Sequence, residues 1–280
     1  MIKRSITFIT LALALTTLCQ AQSRKVITLS SWDFSRDGKA WQQVAVPHDW
    51  AISGPFDKKW DLQMVAIEQN GEKEKTEKSG RSGALPWIGE GMYKMNWTAP
   101  KGYKRAVLVF DGAMSQPVVK VNGKEAGRWA YGYNAFRIDI TPFIRFGKSN
   151  LIEVHLNNVE ESSRWYPGGG LYRPVSVELY GNENFSTWDT FVRTLKADKQ
   201  EAEVEVNALL EGKTGKSGKT VIALLDEAGK KVAEQIVTGA NPEIKTTLKV
   251  ANPQLWSPES PYLYQVKLTR YEGKKVADVQ

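Results

Sequence analysis

The sequence predicts an all-β protein: an antiparallel sandwich or jelly roll from about Val26 to Tyr180, followed by strands at immunoglobulin-like spacing. Three observations carry this. Apolar and β-branched residues recur in short runs with a period of two, as a half-buried strand requires. Polar or glycine-bearing turns separate those runs. Outside the first residues, no stretch of about twelve keeps the spacing of an amphipathic helix.

In chain order, the sequence opens MIKRSITFITLALALTTLCQAQS. Lys3 and Arg4 precede an apolar run, Ile6 to Leu18, that is too short to span a bilayer, and the small residue Ala21 follows. This pattern predicts a secretory signal over residues 1–21, cut after Ala21, and an exported protein of the periplasm, cell surface or extracellular space. Cys19 offers a second reading as a lipid attachment site, although Leu18 before it is larger than the small residue such processing favours. A cut after Ala21 removes the sole cysteine, leaving no disulfide, thiolate nucleophile or thiolate metal site.

Of the 280 residues, 41% are hydrophobic and 25% charged, enough apolar material for one large or two ordinary domains. Removing Lys3 and Arg4 from the net charge of +7 leaves +5, and the lysines are scattered. No basic helix and no interleaving of basic and aromatic residues is present, so nucleic acid is not an expected partner, and no membrane span is expected. His48 and His155 lie far apart and neither has metal-ligand spacing. They read as structural histidines, and neither a metal nor a cofactor is expected.

The first unit, residues 22–181, has strand-like runs at Ala106–Phe110, Val118–Val121, Ala135–Ile140, Leu151–Leu156 and Val175–Leu179. Asn122-Gly123 after VVKV is a two-residue hairpin signal, because both positions accept positive φ. Glu68 to Gly83, EQNGEKEKTEKSGRSG, has almost nothing to bury and reads as a mobile surface loop.

The stretch Asn157 to Val175, NNVEESSRWYPGGGLYRPV, stands out. Gly168, Gly169 and Gly170 after Pro167 suit neither a strand nor a helix interior and predict a loop. Trp165 and Tyr166 on that loop either cover the apolar face of a sugar ring or plug the end of a sandwich.

The second unit, residues 182–280, contains seven strand-like runs: Thr190–Leu195, Ala202–Leu210, Thr220–Leu225, Lys231–Val237, Ile244–Val250, Tyr262–Tyr271 and Lys275–Gln280. That is the content of one small sandwich. Trp256 in LWSP is expected to anchor it, while Trp50 and Trp60 are expected in a core or an interface. The last run is expected to be an edge strand cut short, the chain being the front portion of a longer protein.

Five segments carry a resemblance: VAVPHDWAISGPF (Val44 to Phe56), GEGMYKMNWTAP (Gly89 to Pro100), VKVNGKEAGRWAYGYNAFRIDITPFI (Val119 to Ile144), SSRWYPGGGLYRPV (Ser162 to Val175) and LWSPESPYLYQVKL (Leu255 to Leu268). Together they resemble the non-catalytic front region of glycoside hydrolase family 2, the bacterial β-galactosidases above all. The resemblance implies a jelly-roll, galactose-binding-like domain, then an immunoglobulin-like domain, then a catalytic (β/α)₈ barrel that these 280 residues do not include. The family's retaining mechanism uses two glutamates, both in that barrel, so no residue here takes a catalytic role. Of the acidic residues present, Glu160 and Glu161 are adjacent on an extended segment and face opposite ways, and Asp49 sits in a segment expected to pack.

The resemblance implies a supporting role for the glycine loop. Relatives often carry an aspartate where this sequence has Arg164, and an arginine donates hydrogen bonds but cannot accept them. Arg164, Trp165, Tyr166 and Glu90 are the candidate substrate-binding residues. Arg173 is expected to be structural, and Trp129, Tyr131 and Tyr133 either pack their loop or offer a platform to a glycan. The expected partners are a carbohydrate, a β-galactoside or related glycan, and the chain's own barrel. The alternative function is a free-standing, non-catalytic carbohydrate-binding or cell-surface interaction protein.

Overall fold

A computed structural model describes residues 24–57, 87–159, 167–213, 215 and 218–280. The expected signal segment, the charged run 68–83 and Trp60 lie outside the described residues. Among the described residues there are eighteen strands and no helix.

The first sandwich stacks two antiparallel sheets. One runs, in spatial order, β1 (Lys25–Thr28), β10 (Val175–Tyr180), β5 (Arg105–Phe110) and β8 (Phe136–Asp139). The other runs β3 (Gln42–Ala45), β2 (Ser31–Ser35), β4 (Glu90–Thr98), β9 (Ser149–Asn157), β6 (Val118–Val121) and β7 (Lys124–Arg128). This is a jelly-roll sandwich. Strand β9 shows the logic: Ile152, Val154 and Leu156 are buried, while Leu151, Glu153 and His155 between them face outward. The inward residues meet Leu108, Phe110, Val175, Val177 and Leu179 of the opposite sheet, and Phe110 stacks on Phe136 at 4.7 Å between centroids. Asn122 (φ 52°) and Gly123 (φ 79°) form the expected two-residue turn between β6 and β7.

Five strands of this unit were not among the expected runs: β1, β2, β3, β4 and β7. Sequence KEAGR in β7 has almost no apolar content, and β4 mixes Lys94 and Asn96 with Tyr93 and Trp97. Their strand character comes from pairing with neighbours rather than from their own propensity.

The second sandwich is immunoglobulin-like. In one sheet β13 (Glu201–Gly212) pairs on one side with β16 (Glu243–Ala251) and on the other with β12 (Phe191–Ala197) and, further along, β11 (Glu183–Phe185). The facing sheet runs β15 (Lys231–Thr238), β14 (Gly218–Leu225), β17 (Gln265–Glu272) and β18 (Lys275–Val279). Its core is Phe185, Val206, Leu210, Ile222, Leu224, Ile244, Leu248 and Leu268. Trp256 does not anchor it, being 60% exposed. The strand expected from Tyr262 begins only at Gln265, so Leu255 to Leu263 has no ladder, while Tyr264 packs against the core.

Short strand β11 is anchored in the second unit, and Arg105 of the first unit reaches it at Asn184. Glu183 is fully buried and accepts from Arg270 Nε at 2.7 Å, and Phe185 N donates to Asp278 Oδ2 at 2.8 Å. From the first sandwich, Arg105 reaches across to Glu211 and Glu178 gathers Arg24, Arg137 and the Tyr180 hydroxyl.

Candidate functional site

The glycine loop closes one end of the first sandwich, and its three glycines have separable reasons. Gly168 and Gly170 sit at φ +91° and +87°, a region that side chains disfavour. Gly169 is needed for space: a Cβ there would lie 2.4 Å from Trp50 Nε1. At Gly170 it would lie 2.3 Å from the Tyr93 hydroxyl and 2.8 Å from the His48 carbonyl oxygen.

Four donors from three segments hold the loop. His48 N donates to Leu171 O (2.7 Å), Trp50 N to Gly169 O (3.2 Å), Asn158 Nδ2 to Gly168 O (2.9 Å), and Met114 N to Gly170 O (3.0 Å). Gly170 N returns a bond to Met114 O at 2.9 Å. These bonds fix the backbone of Gly168 to Leu171 over the residues beneath it.

An aromatic cluster lies beneath. Trp50 is fully buried, stacked on Phe34 (5.7 Å, 26°) and tilted against Trp87 (5.4 Å). The hydroxyl of Tyr93 lies 2.7 Å from His48 Nδ1 and accepts a longer bond from Leu171 N at 3.4 Å. Burial lowers the His48 imidazole and raises the Tyr93 hydroxyl, so this pair is neutral and structural at ordinary pH. Asp49 Oδ1 accepts from Ala51 N at 3.1 Å, a turn bond that agrees with a packing role for PHDW.

Arg164, Trp165 and Tyr166 lie outside the described residues, as do Glu160 and Glu161. Glu90 is exposed at the start of β4, its carboxylate 3.2 Å from His155 Nε2 on the outer face of the sheet. Arg173 donates to the carbonyl oxygens of Asp111 (3.2 Å) and Tyr133 (2.9 Å), the structural part expected of it. The Trp129 to Tyr133 loop packs on its surroundings, the first of the two roles considered for it. Trp129 stacks on Phe136 at 5.5 Å, and Gly132 O accepts from the Tyr172 hydroxyl at 2.8 Å, while Tyr131 stands 59% exposed.

Sequence reasoning missed Asn158, Met114 and Tyr93, which brace the loop. Tyr93 lies in GEGMYKMNWTAP and Asn158 in the stretch Asn157 to Val175, both set apart above, but neither residue carries a signal of its own. Contacts of this kind link positions far apart in the chain and leave no local pattern. Among the described residues no group of three or more His, Cys, Asp or Glu could hold a metal ion, and no helix is long and apolar enough to cross a membrane.

The second sandwich has a different surface feature. Phe191, Val192 and Leu195 of β12 and Leu255, Trp256 and Leu263 are exposed large apolar side chains. Val192, Leu255, Trp256 and Leu263 line an open hollow of about 500 Å³.

Comparison with known proteins places these features. The family model described as glycosyl hydrolases family 2 matches residues 186–280. A putative β-glucuronidase of Formosa agariphila is 33% identical over 90% of this chain and 23% of its own length. A β-galactosidase of Bacteroides ovatus is 32% identical over 80% of this chain and 26% of its own. A family 2 member from Bacteroides cellulosilyticus, solved by crystallography, superposes with a TM-score of 0.73 at 31% identity, covering 91% of this chain and 34% of that one. The chain therefore spans about a quarter of the length of the curated relatives it matches. The two sandwiches and these matches agree: residues 186–280 match the model of glycosyl hydrolases family 2, and nine-tenths of the chain is similar to about a third of a solved member of that family.

Proposed function

We propose that the chain is the non-hydrolytic, sugar-facing part of an exported family 2 glycosidase, most simply a β-galactosidase, whose retaining chemistry resides in a further domain. The observation that carries this reading is the similarity over 90% of the chain to only 23% of a relative named for glycoside hydrolysis. In this reading the glycine loop holds Arg164, Trp165 and Tyr166 toward the sugar, with Glu90 nearby. Arg164 donates to a sugar oxygen or pairs with a carboxylate of the catalytic domain. Relatives named as β-glucuronidases and as β-galactosidases are both similar to the chain, and the residues that discriminate the two sugars belong to the catalytic domain in this reading.

The exposed flank around Trp256 and Leu263 supports the same reading, because a contiguous apolar patch on a soluble domain marks a surface that something covers. The catalytic domain is the proposed cover. The test is a hydrolysis assay with chromogenic β-galactosides and β-glucuronides, comparing residues 22–280 with the full-length gene product. Hydrolysis by the longer protein alone is the expected result. Hydrolysis by the short chain would overturn the assignment, and hydrolysis by neither would favour a free-standing carbohydrate-binding protein.

A further inference from the structure

On the outer face of the six-stranded sheet, β4, β9, β6 and β7 form the floor of a hollow of about 520 Å³, with His155, the partner of Glu90, at its lining. Met92 and Val118 give it an apolar floor. Trp41 forms part of its wall and also lines a neighbouring hollow. The indole is held: its Nε1 donates to Gly38 O at 3.1 Å, and the Lys94 ammonium lies 3.7 Å from a ring centroid.

Occupation of Lys94 by the indole has a consequence for Glu153. The register places Glu153 between Lys94 on β4 and Lys120 on β6. A solvated sheet face would let these charges pair across the strands. Among the described residues, however, the side chains of Glu153 and Lys120 have no ion-pair or hydrogen-bond partner, while Arg128 is engaged by Glu125 at 2.7 Å. An unpaired carboxylate and an unpaired ammonium thus face one hollow beside an indole. The lining charges of Lys120 and Arg128 cancel those of Glu125 and Glu153.

We propose that this hollow is a second saccharide site, taking a neutral, polyhydroxylated sugar unit. Charge of either sign on the ligand would meet Glu153 or Lys120 unfavourably. Hydroxyl groups suit both, since the carboxylate accepts and the ammonium donates. An indole wall and an apolar floor match the less polar faces of a pyranose ring. The choice of a saccharide among neutral polyols rests on the family 2 reading above.

The test is isothermal titration of residues 22–280 with neutral β-linked galacto-, cello- and xylo-tetraose, with an oligogalacturonide as acidic comparison. Saturable binding of at least one neutral sugar is expected, weakened about tenfold or more by Trp41→Ala and by the isosteric Glu153→Gln, with melting temperatures unchanged. Three results would overturn the proposal: no binding of any neutral sugar at roughly millimolar concentration, binding untouched by both variants, or binding lost in Arg164→Ala but kept in Trp41→Ala. Binding that persists when the full-length product hydrolyses nothing would sink the glycosidase reading and leave this site standing. Hydrolysis without binding would do the reverse.

Discussion

The two sandwiches treat their apolar surface differently. In the first, Trp32, Trp50, Tyr93, Phe110 and Phe136 are all essentially buried, and the glycine loop is bonded down over one end. In the second, Leu248 and Ile222 fill a similar core, yet Phe191, Trp256 and Leu263 are each more than half exposed, and every residue of edge strand β12 is exposed. The first unit also exposes Ile52, Phe56 and Tyr131, but only the second lines them along an edge strand and a hollow. An unpaired edge beside an apolar hollow is a surface that invites association. In the proposed reading, this contrast separates a first unit that meets the ligand from a second unit that meets more protein.

The largest expected effect lies in the buried ion pair of the second sandwich. Glu183→Gln leaves Arg270, 1% exposed, without its charge partner, and a loss of about 3–5 kcal/mol is expected. Urea unfolding would measure it, and the double change Glu183→Leu with Arg270→Met should recover much of the loss. Next comes Gly170→Ala, which combines positive φ with a clash against backbone as well as side chain. A loss of about 3 kcal/mol is expected, confined to the first sandwich if the two unfold separately. An effect below about 1 kcal/mol would mean that the loop is less tightly held than its bonds indicate.

A smaller, pH-dependent effect comes from Glu178. Burial alone would raise its carboxyl, but bonds from Arg137, Tyr180 and Arg24 outweigh it and hold the group down at about 2. A carboxyl depressed on folding stabilises above its unfolded value near 4.5 and loses that contribution as pH falls toward 2. Thermal melts across that window should fall more steeply for the natural chain than for Glu178→Gln. The smallest effect is expected on the open flank: Trp256→Ser should change stability by no more than about 0.5 kcal/mol while reducing binding of an apolar fluorescent dye.

Much of this architecture was legible from the residues. Alternating runs such as LIEVHL and VVKV mark strands because their inner positions are uniformly apolar, and Asn122-Gly123 marks its turn by backbone preference. The rest depends on tertiary context. KEAGR becomes β7 only because β6 lies beside it. Trp256 was misread because an indole near two prolines looks like core, and whether it faces inward depends on where β17 begins. The glycine run signalled a loop correctly, but the Cβ clashes with Trp50 and Tyr93 that require Gly169 and Gly170 come from residues some eighty to one hundred and twenty positions earlier. No local pattern encodes that.

Hydrogen–deuterium exchange tests the central contrast most directly, comparing residues 22–280 with the full-length gene product. Strong added protection over β12 and residues 253–264 in the longer protein, with the core of the first sandwich unchanged, is the predicted result. Equal exchange over those segments in both proteins would contradict the account, because the open flank would then not be the surface that further protein covers.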